Sequence, residues 1–133
     1  IGLAQLPTEA HGKKIEELSP EELKEYHLYP ERSVNMVKGK KVPLSAEVSD
    51  CIIMHRETGD GKGFPKKLYL DKMSDLGKLM ALSYYFLEIT SLQEKAASMN
   101  LEKAIQHLKD QALTGNSQFE ILMVTRIFKR LSQ

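Results

Sequence analysis

His55 and Cys51 are the side chains in this sequence whose types and spacing best suit metal binding. Four residues apart, an imidazole and a thiol share one helical face, and both are good zinc ligands. A Cys/His pair alone has no partners to complete a site, so a half-buried histidine beside a core cysteine is the plainer expectation. His11 and His107 read as surface residues. Six lysines, Lys38, Lys40, Lys41, Lys62, Lys66 and Lys67, could form an anion-binding surface, with the backbone amides of a glycine-rich loop beside them. Solvated lysines on two loops are the simpler account. Tyr84 and Tyr85 could stack on a nucleobase, although aromatics on an apolar helix are more often core.

These residues need helices to position them. Ser19-Pro20-Glu21-Glu22 predicts a helix start, with Ser19 as cap, Pro20 in the first position and Glu22 closing a capping box. That helix should run to about Leu28. Pro30 disfavours helical backbone at Tyr29 and can open a second short helix through Val37. After the basic turn Lys38-Gly39-Lys40-Lys41, Pro43 is expected to open a helix carrying Leu44, Val48, Cys51, Ile52 and His55. From Thr58 to Leu70, Gly59, Gly61, Gly63 and Pro65 rule out a good helix. A long helix should follow from about Asp75 to Glu94. Leu76, Leu79, Met80, Ser83, Leu87 and Thr90 mark one of its faces, and Leu82, Phe86 and Ile89 another. So wide an apolar surface implies a central, buried helix. Asn100 can cap a helix with the stripe Leu101, Ala104, Ile105, Leu108 and Ala112, ended by Gly115. The last helix carries Phe119, Leu122, Met123, Ile127 and Leu131. Residues 1–18 are irregular, broken by Gly2, Pro7 and Gly12. No run alternates with a period of two, so the fold class is all-α, a helical bundle.

A chain of 133 residues suits one domain with one core. Lys plus Arg number 19 and Asp plus Glu 18, a formal net charge of +1, which calls for neither a nucleic acid polymer nor an anionic membrane. The single cysteine permits no internal disulfide, which fits a reducing, cytoplasmic location. No stretch is long and apolar enough to span a bilayer. The first residue is Ile1 rather than Met, which suggests a fragment.

Residues 55–65, His-Arg-Glu-Thr-Gly-Asp-Gly-Lys-Gly-Phe-Pro, resemble the H-H-E-x-x-D-G-x-G-Y-P signature of the HD-GYP family. Asp60, Gly61, Gly63 and Pro65 match, and Phe64 replaces the tyrosine conservatively. The likeness is colinear over nearly the whole chain. Ile1-Gly2 resembles the pair that follows the family's H-D dipeptide, Leu18 to Glu22 its L-T-P-E-E helix start, and Tyr29-Pro30-Glu31 its H-P-E. Ala81 to Ser91 is similar to the A-V-A-D-V-F-D-A-L-T-S helix, and Gly115 to Phe119 to the closing G-x-x-F segment. The resemblance implies an HD-superfamily bundle over residues 1–133 that lacks its N-terminal helices and the H-D dipeptide.

Members of that family are cyclic-di-GMP phosphodiesterases with a metal centre, and the resemblance implies four ligand positions here. Only His55 is retained. Tyr29 stands for the H-P-E histidine, Arg56 for the second histidine of the H-H pair, and Tyr84 for the aspartate of the A-D helix. Arg56 is a permanent cation and a neutral phenol is a poor ligand, so no metal is expected. His27 could replace the ligand lost at Tyr29, but two residues apart on a helix means different faces. On the substrate side, Leu3 stands where a lysine usually follows H-D-I-G. Gln93-Glu94-Lys95-Ala96 replaces the R-P-Y-[RK] run, without arginine's fork for phosphate. The resemblance thus implies a catalytically inactive signalling domain with no cofactor and a protein partner of the GGDEF type. Its contact surface would be the loop Gly59 to Lys67, with Asp60, Gly61, Lys62, Gly63, Phe64 and Pro65 at its centre. The alternatives are a phosphodiesterase with a di-metal centre of iron or manganese, and a sensor that binds cyclic-di-GMP without cutting it.

Overall fold

A computed structural model describes residues 1–90, 100–113, 119 and 121–131. The expectations for residues 91–99, for Gly115 and for the Leu122 and Leu131 side chains lie outside the described residues.

Sequence signals set most helix ends. In α1 (Pro20–His27) the Glu22 amide donates to Ser19 Oγ at 3.2 Å and the Ser19 amide donates to the Glu22 carboxylate at 2.8 Å. This reciprocal box satisfies two amides that a helix start leaves unpaired. Leu28 is the hinge to α2 (Tyr29–Gly39), which has Pro30 buried in its first turn. Tyr29 belongs to this helix as its first residue, and the helix runs two residues past the expected Val37.

The next start differs from expectation. α3 spans Ala46–Met54 and is capped by Ser45, whose Oγ accepts from the Val48 amide at 3.3 Å. Ser45 offers an acceptor to an orphan amide and Pro43 has none to offer, so the hydroxyl sets the boundary. Leu44 therefore lies outside the helix, and His55 is its C-cap.

α4 (Asp75–Thr90) crosses α3 at Gly77, where an added Cβ would lie 2.4 Å from Met54 Sδ. This close approach fixes the rotation of α4. Gly77, Ala81 and Leu82 turn inward, while Phe86 and Ile89 pack against the core. The helix is central, between α3 and α5, but the expectation that it is buried is corrected for one face: Leu76, Leu79, Met80, Ser83 and Leu87 face outward, Leu87 with 65% of its surface exposed.

α5 (Leu101–Leu113) begins at Asn100, whose Oδ1 accepts from the Lys103 amide at 2.9 Å. Its buried stripe is Ala104, Leu108 and Ala112; Leu101, expected inside, is 59% exposed because the stripe starts one turn later. α6 (Ile121–Leu131) inserts Val124, which is fully buried, with Met123 and Ile127 beside it. Phe119 packs into the same core from ahead of the helix.

The order of packing is α2 on α3, α3 on α4, α4 on α5 and α5 on α6. Residues 1–18 form short 3-10 turns. The first of these lies on α2: the Gly2 amide donates to Ser33 Oγ at 2.9 Å, and Ser33 Oγ donates to the Tyr29 carbonyl at 2.8 Å. A Cβ at Gly2 would sit 2.1 Å from that carbonyl oxygen, so only glycine fits. Apart from an isolated bridge between Asp60 and Tyr69, the described residues hold no strand pairing, and the fold is an all-α bundle. None of its helices is long and apolar enough to cross a membrane, among the described residues.

Candidate functional site

The loop after α3 folds around one buried carboxylate. Glu57 is 2% exposed, and its two oxygens accept from the amides of Lys66 at 2.7 Å and Leu68 at 2.8 Å. A buried charge is tolerable only when hydrogen-bonded, and here two loop amides supply the bonds. The loop closes through Phe64 N to Arg56 O at 3.1 Å, Gly61 N to Leu68 O at 3.2 Å and Leu70 N to Gly59 O at 3.0 Å. A Cβ on Gly63 would lie 2.5 Å from Glu57 Cα, and Gly61 holds a φ of +78° against the Tyr69 ring. Asp60 accepts from Thr58 Oγ1 and from the Lys62 amide at 3.0 Å. Burial opposes ionisation of Asp60, but these hydrogen bonds and the Lys62 charge outweigh it, and the carboxyl is held below its usual range. The Phe64–Pro65 peptide is cis, and the Phe64 ring turns back toward α1 and α2.

Tyr29, His55, Arg56 and Tyr84 all meet there. His55 Nδ1 lies 2.7 Å from the Ile52 carbonyl oxygen, which can only accept, so Nδ1 carries the proton. Nε2 is then the lone-pair nitrogen, and it accepts from the Tyr29 hydroxyl at 2.6 Å. Burial pushes the Tyr29 phenol upward, which keeps it a donor. Burial likewise lowers the His55 pKa, the Arg56 charge adding to this against the Ile52 hydrogen bond, so the ring stays neutral. Tyr84 meets the same imidazole edge-on, with ring centroids 5.4 Å apart. The Arg56 guanidinium lies 4.3 Å from the Tyr84 ring centre and 5.0 Å from that of Phe64.

His27, set aside above as a replacement ligand, joins the cluster through its ring instead. Its ring stacks on Phe64 at 4.4 Å and 19°. Treating His27 and Tyr29 as residues of one helix hid this, since the hinge at Leu28 re-aims the chain between them. Glu57 was also passed over, although a carboxylate just before a glycine-rich loop was the available signal.

The remaining candidates scatter. Tyr84 and Tyr85 do not form one pocket: Tyr85 points toward Phe119 at 5.2 Å and toward His107. His107 is half-buried rather than a surface residue, with Nε2 3.2 Å from the Tyr85 hydroxyl. His11 is exposed as expected, and Cys51 is half-buried with a free thiol. Both lysine groups are exposed; Lys62 lies 3.8 Å from Asp60, an ion pair worth little in water.

A family model described as an HD domain matches residues 1–116, and the chain belongs to the HD-domain family. No curated protein matches the sequence. An HD fold brings with it the expectation of a metal-dependent hydrolase, which the residues themselves can test. The His55 nitrogen that would face a metal already accepts a hydrogen bond, a guanidinium stands beside it, and Tyr84 offers a neutral phenol. Among the described residues no three His, Cys, Asp or Glu side chains come together as a ligand set. This donor set does not fit a divalent cation.

Proposed function

We propose that this chain is an HD-GYP-type domain in which side chains have taken over the places of the metal ligands, and that it acts as a non-catalytic interaction or regulatory module. The observation that carries the reading is the 2.6 Å bond from the Tyr29 hydroxyl to His55 Nε2. A metal-binding histidine commonly donates one ring N–H to a backbone carbonyl and turns the other nitrogen to the ion. His55 has that geometry through Ile52, with a phenol where the ion would be. The loop Gly59 to Lys67 keeps its form through Glu57, independently of any metal; its exposed lysines and half-buried Pro65, held in place by the Phe64 ring packed against α1 and α2, are the surface for a protein partner, such as a GGDEF-type domain.

The test is binding of the chain to a GGDEF-type domain, alone and as the Phe64→Ala/Pro65→Ala variant with helicity checked by circular dichroism. Weaker binding with unchanged helicity supports the reading; unchanged affinity overturns the role of the loop. Elemental analysis in buffer free of chelators should find no stoichiometric transition metal. About two ions per chain, or cyclic-di-GMP hydrolysis lost in His55→Ala, would make the chain an enzyme instead.

A further inference from the structure

Between the turns of residues 1–18 and α1 lies an open hollow of about 490 Å³. Pockets that hold small molecules run from roughly 300 to 1,000 Å³. Leu6, Leu18 and Tyr26 give this one apolar walls, and two further lining residues, Ile15 at 42% exposure and the exposed His11, open it to solvent. The space exists because Ala4, Ala10 and Gly12 bring no more than a methyl group to the lining. Apolar surface left in water favours an apolar molecule that covers it.

The walls are tied down, so the hollow is not free to collapse. The Ala10 amide donates to the Pro7 carbonyl at 2.9 Å, and His11 Nε2 bonds the Leu6 carbonyl at 3.0 Å. Lys13 Nζ donates to Glu22 Oε1 at 2.7 Å and fastens the turns to α1. The Tyr26 ring packs on Tyr29 and Phe64, with centroids 5.4 and 5.7 Å apart, which keeps it from swinging into the space. A site formed in advance loses little affinity to its own ordering.

Charge and hydrogen bonding narrow the ligand. Of the described lining residues only Lys13 carries a formal charge, and Glu22 already matches it. The Leu6 carbonyl can only accept, so His11 Nε2 carries the ring proton and Nδ1 is an acceptor. Tyr26 offers a ring for stacked or edge-on contact with another. We infer that the hollow binds a small uncharged aromatic alcohol, its ring against Tyr26 and the aliphatic walls and its hydroxyl donating to His11 Nδ1. Such binding needs neither a metal nor a protein partner at the loop.

The experiment is an NMR titration of the full chain with 2-naphthol, following the Ala4, Ala10 and Leu18 methyl signals and the Tyr26 ring. Saturating shifts centred on these residues are expected. Ala4→Phe, which fills the hollow from an exposed position, should abolish them. Ala10→Leu, filling it from a second position, should do the same with helicity unchanged by circular dichroism. Naphthalene, which lacks the hydroxyl, and 2-naphthoate, which carries a charge, should both bind more weakly. An absence of shifts, or shifts centred elsewhere in the parent chain, would overturn the site, as would shifts that persist in Ala4→Phe. Equal binding of naphthalene would overturn the hydroxyl contact, and equal binding of 2-naphthoate the uncharged assignment. Failure of the loop to bind a protein partner would leave this titration unchanged, so the two readings fail separately.

Discussion

Replacing Glu57 by Gln changes one atom type and should release the loop. The carboxylate accepts at both oxygens, from Lys66 N at 2.7 Å and Leu68 N at 2.8 Å, at 2% exposure. An amide has one accepting oxygen, so its NH2 must face one of the two backbone N–H groups. One bond to a charged acceptor, worth about 1.5–3 kcal/mol, is lost, and the stranded N–H adds about 1–3 kcal/mol. Because these terms overlap, a net cost of about 3 kcal/mol is expected, a large part of the roughly 5–15 kcal/mol that holds a domain together. Urea denaturation should read that loss, and the melting temperature should fall by about 10 °C. Hydrogen exchange localises it: the Lys66 and Leu68 amides should exchange about 100-fold faster, while those of α5 change only as global stability does. If these two amides keep their protection, the carboxylate is not what holds the loop and the reasoning fails. Glu57→Asp, with a shorter reach, should behave like the Gln variant rather than the parent.

Tyr29→Phe removes the donor to His55 Nε2 and leaves a half-buried acceptor unpaired, which should cost about 1–2 kcal/mol in urea denaturation. The 15N signals of the imidazole should move with it, and unchanged ring signals would contradict the assigned tautomer. Gly63→Ala should destabilise by about 1–3 kcal/mol, because its Cβ meets the backbone at Glu57 and Thr58 at 2.5 Å. Gly39→Ala, with nothing within 4 Å, should be neutral or stabilising by up to about 1 kcal/mol; equal losses in the two variants would refute the steric account. Acidification should weaken the fold in two stages. His27 and His55 have folded pKa values below the ordinary 6.5, so the unfolded chain takes protons first, and stability is lost as pH falls from about that value through the folded ones. Asp60 is held below 3.8, so its contribution is present above that pH and is lost as pH falls further. In Asp60→Asn the lower stage should shrink while the upper one stays.

Local signals proved the most legible. The Ser19–Glu22 box and the Asn100 cap are decided by neighbours three residues apart, and both form as their residue types dictate. The non-helical loop followed from its glycines and Pro65. Rotation about a helix axis was not readable in the same way. Both faces of α4 are apolar, and which one turns inward is settled by the absence of a side chain at Gly77, a contact with Met54 over twenty residues away. Tyr29, His55, Arg56 and Tyr84 gather in one place, but what they do together was not visible in their spacing. That Tyr29 donates to His55 depends on the Ile52 carbonyl fixing the ring proton, and that Arg56 lies between two rings depends on Phe64 returning across the loop. His27 joined the group through a hinge one residue long, and periodicity carries no information about where the chain points after a hinge.

The wedge at Gly2 makes the beginning of the chain and the aromatic cluster one mechanical unit. From the Gly2 amide, force passes through Ser33 Oγ to the Tyr29 backbone, and the Tyr29 ring ends on His55. There is no slack at the first step, since not even a methyl group fits between Gly2 and the Tyr29 carbonyl. Residue 2 cannot be pulled away without tugging the residue whose hydroxyl bonds His55 and whose ring lies against Phe64. Such coupling runs equally in both directions. A ligand that steadies Tyr29 must also tighten the anchorage of Gly2, and strain delivered through Gly2 must loosen that ligand by the same factor.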